Sequence, residues 1–194
     1  MLSSPDWIVV TLKVIKILER LGIPYVVCGS VASIIHGTPR TTLDSDLVAD
    51  VKLEHVAPFV AALEDDFYVD SDSIEEAIKL RKSFNLIHQA TMFKVDVFLP
   101  KPRLFDQAQL DHGVEMEVAS DPQRMARIAS AEDIVLAKLE WFRIGDQVSE
   151  RQWRDILGVL KTQWGRLDVE YMQKMAITLT VSDLLERALE EAAK

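Results

Sequence analysis

Apolar positions along this chain recur with two periods, and the points where one gives way to the other mark out its elements. Over 7–21 they fall at Ile8, Leu12, Ile15, Leu18 and Leu21, the spacing of one helix face, and Gly22 closes the run as a C-cap. Pro24 then opens an unbroken apolar strand over 25–28, and a short helix is predicted over 31–35. After Gly37 and Pro39 the chain re-enters extended structure at 43–49. The pattern continues with a helix over 52–63, a short strand over 67–69 and a helix over 73–82, with Ser73 as N-cap and Glu76 completing a capping box. Residues 84–88 and 93–99 read as paired strands. Pro100 and Pro102 stop the second, and a loop with a helical segment leads to a strand over 114–118.

From Ser130 onward the period is helical throughout, over 130–142, 149–164, 169–179 and 182–192, with Ser149 and Gln152 giving another capping box. The expectation is an α/β (α+β) fold, a mixed first domain over 1–129 followed by an all-helical domain over 130–194. Trp141, Trp153 and Trp164 sit at helical intervals and are expected in the core. There is no internal repeat and no low-complexity tract.

Composition adds bounds. Of 194 residues, 48% are hydrophobic, enough for a sizeable core. The apolar stretch over 2–21 is interrupted by Asp6, Lys13, Lys16, Glu19 and Arg20 at helical intervals, so neither a membrane span nor a signal peptide is expected. Cys28 is the sole cysteine, which excludes an internal disulfide and a cysteine-built zinc cluster and fits a reducing, cytoplasmic setting. A net charge of −9, from 22 basic and 31 acidic residues, disfavours coating of long nucleic acid through phosphate contacts. Charge is nonetheless segregated: Lys79, Arg81, Lys82, Lys94, Lys101 and Arg103 meet only Asp96 between them, whereas 64–76 is strongly acidic.

The candidate chemistry lies where the strand pattern carries acids. Side chains two apart on a strand share a face, so Asp44 and Asp46 project together, with Cα atoms about 6.5 Å apart. Two carboxylates so close repel unless a cation sits between them, and a hard divalent ion such as Mg²⁺ takes oxygen ligands of this kind. In FKVDVFLP, Val95 and Val97 face one way, and Lys94, Asp96 and Phe98 the other. Asp96 is then an acid in the middle of an otherwise apolar strand, a position that rarely holds an unpaired charge. Three carboxylates on two neighbouring strands can bind two metal ions, an arrangement suited to phosphoryl or nucleotidyl transfer. A Gly-Ser pair opening a helix, here Gly29 and Ser30, offers backbone N–H groups and a hydroxyl to an anion. Taken singly, a Gly-Ser pair is usually a turn and a D-x-D a solvated strand end; the order of Gly29-Ser30, Arg40, Thr42, Asp44, Asp46 and Asp96 carries the reading. His36 reads as a helix-end residue rather than a catalyst.

Gly29-Ser30, the RTTLDSD stretch of 40–46 and Asp96 on a later strand resemble the signature of the DNA-polymerase-beta-like nucleotidyltransferase superfamily: a Gly-Ser turn, an R-x-T-x-D-x-D strand and a third acid. Within it the chain looks most like small bacterial nucleotidyltransferases grouped with AbiEii-type abortive-infection toxins, through SAEDIVLAKLEW over 130–141. Ser45 departs from the pattern, standing where an apolar residue is more usual.

The resemblance implies that Asp44, Asp46 and Asp96 bind metal and catalyse, that Gly29 and Ser30 contact nucleotide phosphates, and that Arg40 orders the turn or reaches phosphate. It further implies that Lys138 and Asp155 face the cleft from the helical half, placing the nucleotide between the two halves. The expected activity is transfer of a nucleoside monophosphate from an NTP to an acceptor, with Mg²⁺ as cofactor and Mn²⁺ able to replace it. Acceptors open at this point are a tRNA end, a protein and a cationic small molecule, and a cognate antitoxin is a further expected partner. Two rival readings use the same residues: a non-catalytic module that senses nucleotide or docks a partner, and an antitoxin-like partner protein acting through its helices.

Overall fold

A computed structural model describes residues 6–39, 41–120 and 123–194. In chain order the elements are α1 (Asp6–Arg20), β1 (Tyr25–Cys28), α2 (Gly29–His36), β2 (Asp44–Ala49), α3 (Leu53–Leu63), β3 (Phe67–Tyr68), α4 (Ser71–Leu80), β4 (Ser83–His88) and β5 (Lys94–Phe98). They continue with α5 (Leu104–Asp111), β6 (Val114–Ser120), β7 (Gln123–Ile128), α6 (Ala131–Ile144), α7 (Glu150–Thr162), α8 (Val169–Thr178) and α9 (Ser182–Ala192). The fold class is the mixed α/β one expected, with the four C-terminal helices following the sheet.

The strands form one seven-stranded sheet in the order β3-β4-β5-β2-β1-β7-β6. Its pairs are antiparallel except β2 with β5 and β1 with β7. Strand β7 was not expected from the sequence. QRMARI buries only Ala126 and Ile128, too little apolar alternation to signal a strand, and its parallel pairing with β1 is a tertiary event.

Residues opposite one another in register share a face of the sheet. Ser45, Leu47, Val95 and Val97 line one face, and α1 covers it with Val14, Ile15 and Leu18, all buried. Each such aliphatic side chain contributes about 1.5–3 kcal/mol relative to exposure. Ser45, the departure noted in the acidic strand, is fully buried on this face, and the Thr11 hydroxyl of α1 donates to its Oγ at 2.9 Å. A polar residue at that position is therefore matched by a polar residue on the covering helix. Helix α1 ends as expected, with Gly22 at φ +67 and Ile23 N–H bonded to Leu18 O.

Helix α4 corrects one expectation. It starts two residues earlier, at Ser71, and its cap is Asp70, whose carboxylate accepts from Asp72 N–H and from Ser73 Oγ. Ser73 is thus a donor to the capping residue and not the cap, and Arg81 ends the helix at φ 50 before the expected Lys82. Among the described residues no helix is long and apolar enough to cross a membrane.

Candidate active site

The other face of the sheet carries the acids. Asp46 of β2 lies opposite Cys28 on β1 and Asp96 on β5, and Asp44 lies opposite Lys94. The structure therefore brings Asp44, Asp46 and Asp96 to one face, with Lys94 among them. Asp46 is the innermost. Burial, then the neighbouring Asp44 and Asp96 charges, push its carboxyl above the ordinary range, while the Ser30 N–H at 3.3 Å and the Lys138 charge oppose them. Beneath it Cys28 is buried, and burial with the Asp46 charge raises its thiol, which stays protonated.

Gly29 is fixed by this acid. It sits at φ +57, and a Cβ there would lie 1.8 Å from Asp46 Oδ2. The adjacent Ser30 N–H turns to Asp46, so the turn that the sequence marked for phosphate is also the support of the metal-type carboxylate. Thr42 Oγ1 donates to Asp44 Oδ1 at 3.1 Å, and Lys94 Nζ stands 2.7 Å from Asp96 Oδ2. Each acid thus has a protein partner, and among the described residues no three His, Cys, Asp or Glu side chains are arranged to hold a metal ion. The donor set nevertheless suits a hard cation: three carboxylates share a face, the innermost is destabilised as an anion by the others, and an ammonium already occupies one of them.

The second wall comes from α6. Ser130 caps this helix by accepting from Asp133 N–H, and Lys138, two turns in, is buried and donates to Asp155 Oδ2 of α7 at 2.9 Å. Its charge reaches Asp46 and Cys28 and opposes the rise that burial imposes on both, as expected for a lysine on the site side of the helix. One turn on, Trp141 meets the ring of Phe98 edge-on at 6.0 Å, and Phe98 shares its face of β5 with Asp96. The expectation that Trp141, Trp153 and Trp164 are core holds only for Trp153. Trp141 is 50% exposed and Trp164 52%. The buried side of α6 runs through Ile134, Val135, Lys138, Leu139 and Phe142, which leaves Trp141 at its margin.

Arg40 lies outside the described residues. His36 ends α2, with a ring nitrogen 2.8 Å from Ala129 O, and burial lowers its pKa; it ties the helix to the junction and faces no acid of the site. The basic run is largely absorbed: Lys79 pairs with Glu75, Arg103 with Glu140 and Asp106, and Arg81 donates to Pro100 O. A small apolar concavity, with about 10 Å³ of free space, lies on the opposite face between α1 and the sheet, lined by Ile15, Val27 and Ile128 among others. Two residues of the site escaped the sequence reading, Lys94 and Phe98. The alternation that singled out Asp96 had put both on its face, and only the register across β2 brings Lys94 beside Asp44.

No family model and no curated protein matches the chain in sequence. Solved structures do match. The antibiotic-resistance factor ANT(2")-Ia in complex with adenylyl-2"-tobramycin superposes with a TM-score of 0.58 at 13% identity, over 91% of this chain and 98% of that one. A solution structure of the same factor gives 0.53 at 14% identity, over 95% and 97%. An antigenic nucleotidyltransferase-like protein from Paracoccidioides brasiliensis gives 0.55 at 17% identity, over 96% and 94%. With seven mixed strands, the acidic β2–β5 pair and helices following the sheet over nearly the same length, this chain has the nucleotidyltransferase fold.

Proposed function

We propose that the protein is a nucleotidyltransferase that moves a nucleoside monophosphate from a nucleoside triphosphate to an acceptor hydroxyl, releasing pyrophosphate. The observation that carries this is the register that sets Asp46 opposite Asp96, with Asp44 on the same face, below a Gly29 that admits no side chain. Asp44, Asp46 and Asp96 would hold Mg²⁺ or Mn²⁺. A divalent ion there would offset the charge of the triphosphate and make the acceptor hydroxyl more acidic.

The remaining work falls to the chain. Asp96, at the edge of the group, accepts the proton of the acceptor hydroxyl. The Gly29-Ser30 turn keeps Asp46 in place and leaves the phosphates a side-chain-free approach. Lys138, oriented by Asp155, offsets charge at the inner end, and Trp141 with Phe98 offers the nucleobase an aromatic surface. In this reading residues 1–129 hold the metal and the triphosphate and 130–194 supply the second wall. The free, buried Cys28 suits a reducing cytoplasm.

The test is incubation of the purified protein with α-labelled NTPs and Mg²⁺ or Mn²⁺, offering tRNA, the product of the neighbouring gene and cationic small molecules as acceptors. Label transfer with release of pyrophosphate, absent in Asp46→Asn, is expected. The SAEDIVLAKLEW helix supports an AbiEii-type, toxin-like role, for which the acceptor would be tRNA or a protein and a cognate antitoxin would suppress transfer. One observation favours a second reading, a module that senses nucleotide without turnover: the Lys94–Asp96 ion pair occupies the third acid. Tight NTP binding with no pyrophosphate release under every acceptor would select it.

A further inference from the structure

We propose that Lys94 is the resident counter-ion of the acidic group and couples its two ligands, so that a divalent cation binds weakly alone and strongly together with a triphosphate. This rests on the nucleotidyl-transfer reading of the same face.

The geometry is specific to this position. Lys94 precedes Asp96 by two residues on β5 and lies in register opposite Asp44 on β2, so it shares the face that carries the acids. Its ammonium contacts Asp96 Oδ2 at 2.7 Å, and Asp44 and Asp46 both act on its charge. On its other side the register partner is Ile87 of β4, an apolar residue that offers no alternative acid. Lys138, whose charge also reaches Asp46, donates to Asp155. Among the described residues Lys94 is thus the cation that pairs with Asp96 and feels the charge of all three acids, and its presence accounts for carboxylates that face together yet, among those residues, are not arranged around a metal position.

A divalent ion that takes Asp96 must evict the ammonium and then stand a few ångströms from it, so like charge opposes metal binding alone. A triphosphate removes the conflict. Lys94 is 44% exposed on a flexible four-carbon stem and can swing from the carboxylate to a phosphate oxygen. The same charge thus acts against the metal in one state and for the nucleotide in the other, which is positive linkage between the two ligands.

The experiment measures Mn²⁺ binding from the spin-resonance signal of the free ion, with and without an α,β-methylene NTP that cannot be cleaved, in wild type, Lys94→Met and Lys94→Arg. Lys94→Met is expected to bind Mn²⁺ alone on the order of tenfold more tightly and the Mn²⁺–nucleotide pair on the order of tenfold more weakly. Lys94→Arg, which keeps the charge, is expected to follow wild type in direction. Opposite signs are the signature, because a merely structural lysine would weaken both. Equal Mn²⁺ affinities in wild type and Lys94→Met, or losses in both measurements, would overturn the coupling. If wild type takes up no Mn²⁺ even with the nucleotide analogue, the nucleotidyl-transfer reading itself fails and this one falls with it.

Discussion

A Cβ at Gly29 would lie 1.8 Å from Asp46 Oδ2, so the Gly-Ser turn and the second acid of the D-x-D strand are shaped against each other. Gly29→Ala should cost at least about 1–2 kcal/mol from the left-handed backbone alone, before the clash with the carboxylate is counted. Nucleotide binding and transfer should be lost. Adding Asp46→Ala should recover part of the melting temperature without recovering transfer. A single Gly29→Ala variant that melts like wild type would show that the close approach is not maintained in solution.

Asp46→Asn should abolish transfer while leaving the metal-free fold at least as stable as wild type. The charge it removes is one that burial, Asp44 and Asp96 all disfavour, and an amide oxygen can still accept from Ser30 N–H. Melting in chelator-containing buffer is the measurement, and a drop of several degrees would contradict the account.

Lys138 and Asp155 are each 11% exposed and 2.9 Å apart, so removing the lysine takes a charged partner from a buried carboxylate. Lys138→Ala should lower the melting temperature, and Lys138→Met with Asp155→Leu should recover part of that loss. The double variant should still bind NTP poorly, with KM rising more than turnover falls, because Lys138 meets ground and transition states alike. Wild-type KM in the double variant would remove Lys138 from the site.

Trp141 is half-exposed beside Phe98, and its truncation should disturb the fold little. A base stacked there is worth about 1–3 kcal/mol, or about 5- to 150-fold in affinity. Calorimetric titration should therefore show Trp141→Ala weakening NTP by that factor and tripolyphosphate hardly at all. Equal losses for both ligands would mean that the indole supports the helix and touches no base.

Asp133, on the buried side of α6, accepts from Tyr171 Oη at 2.6 Å through one oxygen, while the other has no hydrogen-bond partner among the described residues and lies 3.7 Å from His112 Nδ1. Burial raises its pKa above 3.8, so the folded chain holds this proton more tightly than the unfolded chain. The stability that it lends is whole below about 3.8 and is lost as pH rises through the raised folded value. The melting temperature of wild type minus that of Asp133→Asn should consequently fall as pH rises from about 3.8 through the raised folded value. A difference independent of pH would show that the carboxyl ionises freely.

Local pattern was enough for most of this molecule. Strand alternation placed Asp44 and Asp46 on one side and separated Asp96 from Val95 and Val97, because a strand has a period of two whatever lies beside it. Helix periods located the helices of the second half to within a few residues, and Gly22 and Ser130 act as the caps that their types suggest. Neighbours in space were not legible. The parallel register of β2 with β5 sets Asp46 opposite Asp96 and Lys94 beside Asp44, and no spacing along the chain encodes it. Strand β7 is held along its length by β6 and joins the rest of the sheet through one pair with β1, Asp70 and not Ser73 accepts from the first free N–H, and Trp141 is exposed because it lies beside the buried side of α6. Period and propensity are properties of a few adjacent residues, and the sequence alone determines them. Which charge meets which depends on how strands and helices pack, and that is decided only when the apolar faces of the whole chain are buried together.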